Sequence, residues 1–459
     1  MHKTARVSLV RSVLPVSYDD VKKMVKKALD LIGGIDSFVK PHKTVVIKPN
    51  IFAPYPPPVT TDRRIISVVV SLCKEAGAKR VIVIEGISVG SLMMRVDIEE
   101  STTSGELRRG MKSVDVMKLL GIKRGVEESG GEILGVEDSE TSTVMVPGGK
   151  VLHSLNYPKA VLDADVFINI PALKTHTMTM VTLGIKNLQG FLNEGDRYRG
   201  HRDDCDQHMV DILKVRKPDL TLIDGLIGME GMGAGERGTP VPMGIIIMGA
   251  DVVAVDSVAS RVMGIESPRL VGTTRIAEYD GLGVADPHRI EVLGESIESV
   301  RKTFLLPLNF TQPISTFVTG IYPHVDVFIG GACQTCWGLA AFALMRISRI
   351  KEGAALIVGI DPKVPIGAAL NLKNTFILGD CALGCAGEVR EIRNKIALAG
   401  FDTFLSGCPP YEQAMVKLED ILVNRGVMTK KELVGKAEES RQRFFNYYKK
   451  YDPTWDPEI

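Results

Sequence analysis

An α/β fold in two domains with mainly parallel sheets is what this sequence predicts. Short β-branched runs alternate with helical patterns along most of the chain. Polar or cysteine residues stand directly after those runs, where a parallel sheet opens its ligand crevice. Near residues 301–322 an aperiodic, proline-bearing stretch separates an N-terminal from a C-terminal set of elements.

Within residues 1–300, TVVIK, RVIVIEG, DVFINIP, DLTLIDG and MGIIIMG are short, apolar and bounded by glycine, proline or charge, as buried strands are. IISVVVSLCKEAG and VVAVDSVASRVMG repeat their apolar positions at helical spacing. The segment near 87–121 turns polar, glycine-rich and serine-rich, and reads as an inserted loop. Residues 301–322 form the linker, and 323–459 a C-terminal domain. There VDVFIGG, AALIVGI, NTFILGD and DTFLSG alternate with helical patterns in a Rossmann-like order. After Cys408, the positions Ala414, Leu418, Ile421 and Leu422 mark a helix, for which Pro409 and Pro410 suit the first turn. Thr429 and Glu432 form a capping box that starts a charged helical tail with an aromatic end, expected to pack against some part of the protein.

Composition narrows the function classes. The formal net charge is +1 over 459 residues, and no dense basic run interleaved with aromatics occurs, so nucleic acid is not an expected partner. Asp251 and Asp256 break the longest apolar stretch well short of a membrane span, and the first residues lack a sustained apolar core. A cytoplasmic protein with no membrane partner is expected, with homo-oligomerisation left open.

Five of the seven cysteines lie in the last third: Cys333 and Cys336 in GGACQTCWG, Cys381 and Cys385 in ILGDCALGCAG, and Cys408 in LSGCPP. Each group follows a predicted strand, so the topology brings them to one sheet edge. Thiolates are the usual iron–sulfur ligands, four to a cubane, and a 4Fe-4S cluster on Cys333, Cys336, Cys381 and Cys408 is the expected cofactor. Cys385 is the alternative ligand from its loop or a spare. Zinc remains the competing metal, although its ribbons usually pair two short CxxC knuckles. Cys73, on an apolar helix face, reads as core packing, and Cys205 lies in an acidic stretch. His201 and His208 flank that stretch and are candidates for a second metal, with a surface loop the plainer reading.

Strand ends of the first domain carry a second set of polar groups. Lys48 and Asn50 follow TVVIK and precede a stiff proline-rich loop. Glu85 ends RVIVIEG, Lys174 and His176 follow DVFINIP, Lys186 and Asn187 stand in LGIKNLQGF, and Asp224 ends DLTLIDG. Glu230 lies in GLIGMEGMGAGERG, whose glycines are suited to letting backbone N–H groups approach an anion. Together they predict a cavity for a carboxylate or phosphate compound. Lys48, Asn50, Lys186, Asn187 and Glu230 would bind it, and Lys174, His176, Glu85 and Asp224 would serve as catalytic groups. Taken singly, such residues are as readily helix caps or turn formers.

The segments VVIKPNIFAP, CKEAGAKRVIVIEG, INIPALKTHTMTMVTLGIKNLQGF, TLIDGLIGMEGMGAGERG and GADVVAVDSVASRVMG resemble the DUF362 family, an iron–sulfur-associated group, over roughly residues 40–295. The resemblance implies a two-lobed α/β domain often joined to a cluster-binding module, with no settled reaction. This chain departs from the closely spaced cysteines many members carry, because its own are spread over the C-terminal domain. GCPP resembles the ending found in cluster-binding subunits of respiratory dehydrogenases and nickel hydrogenases, and the architecture is similar to that of the lactate racemase family. Three expectations follow. One is an iron–sulfur oxidoreductase whose cluster faces an anionic substrate or cofactor at the interdomain cleft. Another is an electron carrier or maturation factor serving a redox partner protein. The third is a metal-cofactor isomerase.

Overall fold

The computed structural model describes residues 4–51, 53–87, 112–193, 196–197, 204–233, 235, 237–307, 323–408, 410 and 412–457. The loop expected near 87–121 therefore lies mostly outside the described residues, as do 308–322 of the expected linker, His201 and Pro409. Two compact units emerge: Met1–Leu92, Asp97–Pro307 and Glu439–Ile459 in the first, Met93–Val96 and Leu308–Glu438 in the second.

The first unit contains β1 (Ala5–Arg11), β2 (Thr44–Pro49), β3 (Arg80–Glu85), β4 (Glu132–Gly135), β5 (Thr141–Met145) and β6 (Ser154–Pro158). It continues with β7 (Val166–Ile170), β8 (Ala172–His176), β9 (Met180–Thr182), β10 (Leu220–Gly231), β11 (Gly238–Gly249) and β12 (Ile290–Gly294). Ten of these make one sheet in the order β12-β1-β11-β10-β7-β2-β3-β4, with β8 paired to β10 and to β9. Its heart, β10-β7-β2-β3-β4, is parallel, because each connection crosses over through a helix or excursion. Helices begin where side chains replace missing backbone partners. Ser17 and Asp20 form a capping box for Tyr18–Leu31, Asp62 caps Arg63–Glu75, and Asp251 caps Val252–Val262.

Two features depart from the sequence reading. The glycine-rich stretch after Asp224 is not an open loop as far as Gly231. Strand β10 runs through it to Gly231 and pairs antiparallel with β11, Glu230 opposite Thr239, so its backbone is spent on the ladder rather than on an anion. The C-terminal tail also clusters with the first unit rather than with 323–438, since Phe445, Tyr448 and Trp455 are buried in the core built on β2, β3 and β7. Aromatic burial outweighs chain proximity there. Phe445 and Tyr448 meet Trp455 edge-on, Phe444 meets Tyr55, and Arg63 reaches the Asp452 carboxylate at 2.8 Å.

The second unit is a four-stranded parallel sheet in sequential order: β13 (Val325–Ile329), β14 (Ala354–Val358), β15 (Thr375–Leu378) and β16 (Phe404–Leu405). Helices Gln334–Ile347, Glu388–Leu398 and Glu412–Asn424 connect or follow them. One apolar layer, including Leu344, Leu356, Phe376 and Leu418, lies on one side, and Ile357, Ile377, Ile392 and Ile396 form another. The capping box ahead of the tail is present: Glu432 N–H donates to Thr429 Oγ1 at 3.1 Å, and the Glu432 carboxylate accepts from the Thr429 N–H.

Candidate functional site

Register decides where the cysteines of the second unit lie. Ile329 pairs with Val358, Val358 with Leu378, and Leu378 with Leu405, so the strands end in a row. Cys333, Cys381 and Cys408 follow three of those ends within a few residues. The turns are stitched together: Gly379 N–H donates to Leu405 O at 2.8 Å, Asp380 N–H to Gly407 O at 3.0 Å, and Gly407 N–H to Asp380 Oδ1 at 2.7 Å. Gly379, at φ 88°, sits directly against Cys336, and a Cβ placed there would stand 3.5 Å from its sulfur. A side chain at Gly379 would therefore meet unfavourable backbone torsions, with its Cβ in ordinary contact with the thiol.

Cys333 is the N-cap of helix Gln334–Ile347, its sulfur accepting the Cys336 N–H at 3.5 Å. That role was missed in the sequence, although the CxxC spacing is that of a cap and its third helical residue. The Cys336 side chain also hydrogen-bonds the Cys333 sulfur, which holds the Cys333 thiol down at about 6. Cys336 is shifted the opposite way, by that same bond first, then by burial, then by the charges of Cys333, Cys381 and Cys408. All four sulfurs thus share one electrostatic neighbourhood, with Cys333, Cys381 and Cys408 exposed and Cys336 buried. Cys385 faces elsewhere. Its thiol donates to the carbonyls of Ile360 at 3.2 Å and Cys381 at 3.3 Å, and burial with the Cys381 and Asp361 charges raises its pKa. Among the described residues no three His, Cys, Asp or Glu side chains close around a single ion. A cubane takes one thiolate at each iron corner and so spreads its ligands more widely than one ion does, a demand that four sulfurs drawn from three strand ends of one sheet fit.

In the first unit, the carboxyl ends of β2, β3 and β7 bring together Lys48, Asn50, Glu85, Lys174, Lys186 and Asn187. Lys48 and Glu85 form a buried ion pair, Nζ standing 2.8 and 2.9 Å from the two carboxylate oxygens. Glu85 also accepts the Ile51 and Gly86 N–H groups, both at 2.9 Å. Lys174 Nζ donates to Asn50 Oδ1 at 2.6 Å and to Val59 O at 2.8 Å. Asn50 donates to Asn187 at 2.8 Å, and Asn187 to Asn169 at 2.8 Å. Lys186 is partly exposed and donates to Gln189 Oε1.

Burial lowers the pKa of each lysine. Lys48 is pulled down by desolvation against the pull of Glu85. Lys174 falls to about 7 through burial and the neighbouring Lys186 charge, with Glu85 opposing. Lys186 falls to about 8 through burial, Arg197 and Lys48, with Cys205 opposing. Asp224 is pushed up to about 7 by burial and by Asp62, which is itself paired with Arg64 at 2.7 Å. Its oxygens accept the Asp62 and Leu226 N–H groups, at 2.7 and 3.0 Å, so it is tied to that pair first and reaches Lys174 only through its charge.

The remaining predicted groups stand apart. His176 is half-buried, its Nδ1 accepting the Met178 N–H at 3.0 Å within the β8–β9 turn. Glu230 accepts the Leu305 N–H at 2.9 Å. Sequence reasoning missed Asn169, Gly190 and Arg197. Asn169 was legible as an amide inside an otherwise apolar strand, whereas the roles of Gly190 and Arg197 arise only from packing. A Cβ on Gly190 would fall inside contact distance of Glu85 Oε1 and 2.5 Å from Lys48 Nζ. Arg197 donates to the carbonyls of Gly86, Ile87 and Gly190 at 2.9–3.0 Å. Cys73 is buried in the core, and burial pushes its thiol up to about 12.

The lysine network and the strand ends that carry it fall within the stretch matched by a known family, a domain of unknown function, at residues 45–261. Residues 45–261 are a DUF362 domain. The cysteine turns lie beyond the matched DUF362 residues. A thylakoid-associated protein of Synechocystis sp. is 27% identical over 332 residues, covering 67% of this chain and 91% of that protein. A structural-genomics crystal structure of a Thermotoga maritima protein covers 59% of this chain and 60% of its own, at 13% identity and a TM-score of 0.32. The lactate racemase apoprotein of Thermoanaerobacterium thermosaccharolyticum covers 92% of this chain and 82% of its own, at 12% identity and a TM-score of 0.38. Scores this low do not establish a shared fold. Among the described residues no helix is long and apolar enough to cross a membrane.

Proposed function

We propose that the second unit holds a 4Fe-4S cluster on Cys333, Cys336, Cys381 and Cys408, and that the protein delivers single electrons to a partner protein. The observation that carries this reading is the shared electrostatic neighbourhood of four thiols drawn from three strand ends. A bound cluster supplies one-electron transfer. The protein's own contribution is positional. The helix start orients Cys333 and Cys336, the Gly379–Gly407 bonds fix Cys381 against Cys408, and Cys385 is held off by its bonds to Ile360 and Cys381 carbonyls. Exposure of Cys333, Cys381 and Cys408 favours delivery to a partner over chemistry on a buried substrate.

The test is oxygen-free purification with iron and acid-labile sulfide assays, visible absorption and electron paramagnetic resonance after reduction. Cys333→Ser and Cys408→Ser are expected to lose the chromophore, while Cys385→Ser and Cys73→Ser keep it. Colourless, sulfide-free protein, zinc in place of iron, or equal loss in all four variants would overturn the assignment.

A second reading, for the DUF362 domain, is a site for a carboxylate or phosphate compound. It is favoured by the positive charge where Lys48, Lys174, Lys186 and Arg197 gather around Glu85. Calorimetric titration with inorganic phosphate tests it. Lys174→Ala should weaken binding while leaving the iron content unchanged, and unaltered binding would remove the site.

A further inference from the structure

The buried asparagines beside Lys174 all point their amides the same way. Lys174 Nζ donates to Asn50 Oδ1 at 2.6 Å, Asn50 Nδ2 to Asn187 Oδ1 at 2.8 Å, and Asn187 Nδ2 to Asn169 Oδ1 at 2.8 Å. Asn169 Nδ2 then donates to Gly184 O at 2.9 Å. The N–H of that same peptide, on Ile185, donates to Asp256 Oδ2 at 3.0 Å, and the Gly184 N–H donates to Asp256 Oδ1 at 2.7 Å. Three side-chain amides and one peptide thus run head to tail from a lysine to an aspartate. Lys174 and Asn169 are fully buried, and Asp256, Asn187 and Asn50 nearly so. Gly184 permits the close approach at the far end, where a Cβ would stand 2.8 Å from Asp256 Oδ1 and 2.6 Å from Val252.

The direction of the chain has a physical cause. An ammonium only donates, so Asn50 must turn its oxygen toward Lys174 and its NH2 away, and each following amide must offer its oxygen to the one before. The NH2 group of Asn187 is held in that sense by Pro49 O as well, at 3.3 Å. The peptide at the end cannot exchange its atoms, and its N–H needs an acceptor. An ionised carboxylate is the acceptor-only group, and both oxygens of Asp256 are used. In such a series each bond polarises the next, so charge at one end strengthens the bonds as far as the other. Burial works against charge at both ends, lowering Lys174 to about 7 and pushing Asp256 up to about 7. Lys186 and Lys48 add to it at Lys174, where Glu85 and Asp224 oppose it. Asp251 adds to it at Asp256, where the Ile185 and Gly184 N–H groups oppose it. Glu85 meanwhile bonds Lys48, and Asp224 accepts the Asp62 and Leu226 N–H groups.

We propose that Asp256 is the distant counter-charge of Lys174, acting through Asn50, Asn187, Asn169 and the Gly184–Ile185 peptide, and that it holds Lys174 as the ammonium an anionic ligand requires. Asp256 is a positioning residue, since it reaches Lys174 only through the amides. Its carboxylate also fixes the turn Gly184–Asn187, which carries Lys186 and Asn187. The ligand rests on the reading of the lysine cluster as an anion site. The relay itself rests on the unbroken run of hydrogen bonds and on the donor-only and acceptor-only groups that close its ends.

The experiment titrates Lys174 in the full-length protein by nitrogen-15 NMR of labelled lysine side chains, its signal assigned by loss in Lys174→Met. Asp256→Asn should lower the Lys174 midpoint by at least about 0.5 pH unit, because an opposite charge favours the ammonium. Asn169→Leu, which cuts the series in the middle, should lower it similarly, and the double variant no further than the larger single change. Ser257→Ala removes a buried bond to Ala285 O from the same helix without touching the series, and should leave the midpoint in place. Calorimetry with inorganic phosphate at about pH 8 should show binding weakened about threefold in Asp256→Asn, the loss of ammonium that such a shift produces. Simple removal of a negative charge would instead strengthen it. An unmoved Lys174 midpoint, or additive shifts in the double variant, would overturn the relay. Should the variants not fold, the unaltered protein decides: at about pH 7.5 Asp256 must be a carboxylate by carbon-13 NMR while Lys174 is an ammonium, and a neutral group at either end would overturn the proposal. Phosphate that binds beside an unmoved midpoint would remove the relay and leave the anion site standing. A shifted midpoint in protein that binds no phosphate would do the reverse.

Discussion

Gly190→Ala is the smallest change that tests the buried lysine network. Its backbone lies against the Lys48–Glu85 pair, and the added methyl would enter the space of Glu85 Oε1 and stand 2.5 Å from Lys48 Nζ. Neither side chain has room to retreat cheaply. Glu85 is held by the Ile51 and Gly86 N–H groups at 2.9 Å, and Lys48 by Pro49 O at 3.2 Å as well as by its partner. Overpacking a core typically costs about 1–3 kcal/mol, and parting a buried ion pair about 3–5 kcal/mol. A loss of about 3 kcal/mol is expected, a partial displacement lying between those limits. The chain has two tryptophans, Trp455 in the first unit and Trp337 in the second, so each reports on its own unit. Urea unfolding followed by fluorescence in a Trp337→Phe background should show an earlier Trp455 transition, and in a Trp455→Phe background an unmoved Trp337 transition. In a Glu85→Ala background the methyl has fewer atoms to displace, so the two changes should couple by about 1 kcal/mol or more. A loss below about 1 kcal/mol, or strict additivity with Glu85→Ala, would refute the packing argument.

Asp224 gives a pH test. Its carboxyl is held near 7 by burial and Asp62, against 3.8 when unfolded, so between about pH 4 and 7 the folded state binds the extra proton and stability falls as pH rises. A shift of this size corresponds to at most about 4 kcal/mol, part of it shared with Asp62. Asp224→Asn should flatten that arm of the stability profile measured by urea unfolding, and an unchanged slope would show that Asp224 does not titrate there. Removal of residues 439–459 should unfold the first unit. It takes away Phe444, Phe445, Tyr448 and Trp455, each buried and worth about 1.5–3 kcal/mol, a sum that rivals the net stability of a typical domain. Soluble truncated protein with an unchanged melting temperature would show that these rings contribute little.

Some of this protein was settled by residue pattern alone. Parallel strands such as TVVIK and DVFINIP announce themselves because a strand buried on both faces is apolar throughout, and the capping box at Thr429 is a purely local signal. Polar groups at strand ends were legible for the same reason: one topology rule carries Lys48, Glu85 and Lys174, or Cys333, Cys381 and Cys408, to a common edge. Orientation was not legible. Cys381 and Cys385 are equivalent on paper, and only the carbonyls of Ile360 and Cys381 show that the Cys385 thiol is engaged elsewhere. Glu230 and its glycines resemble an anion loop until β11 arrives to pair with them. The tail's aromatic end names no partner until the core of the first unit takes it in. In each case local chemistry left several arrangements close in energy, and contacts between residues far apart in the chain chose among them.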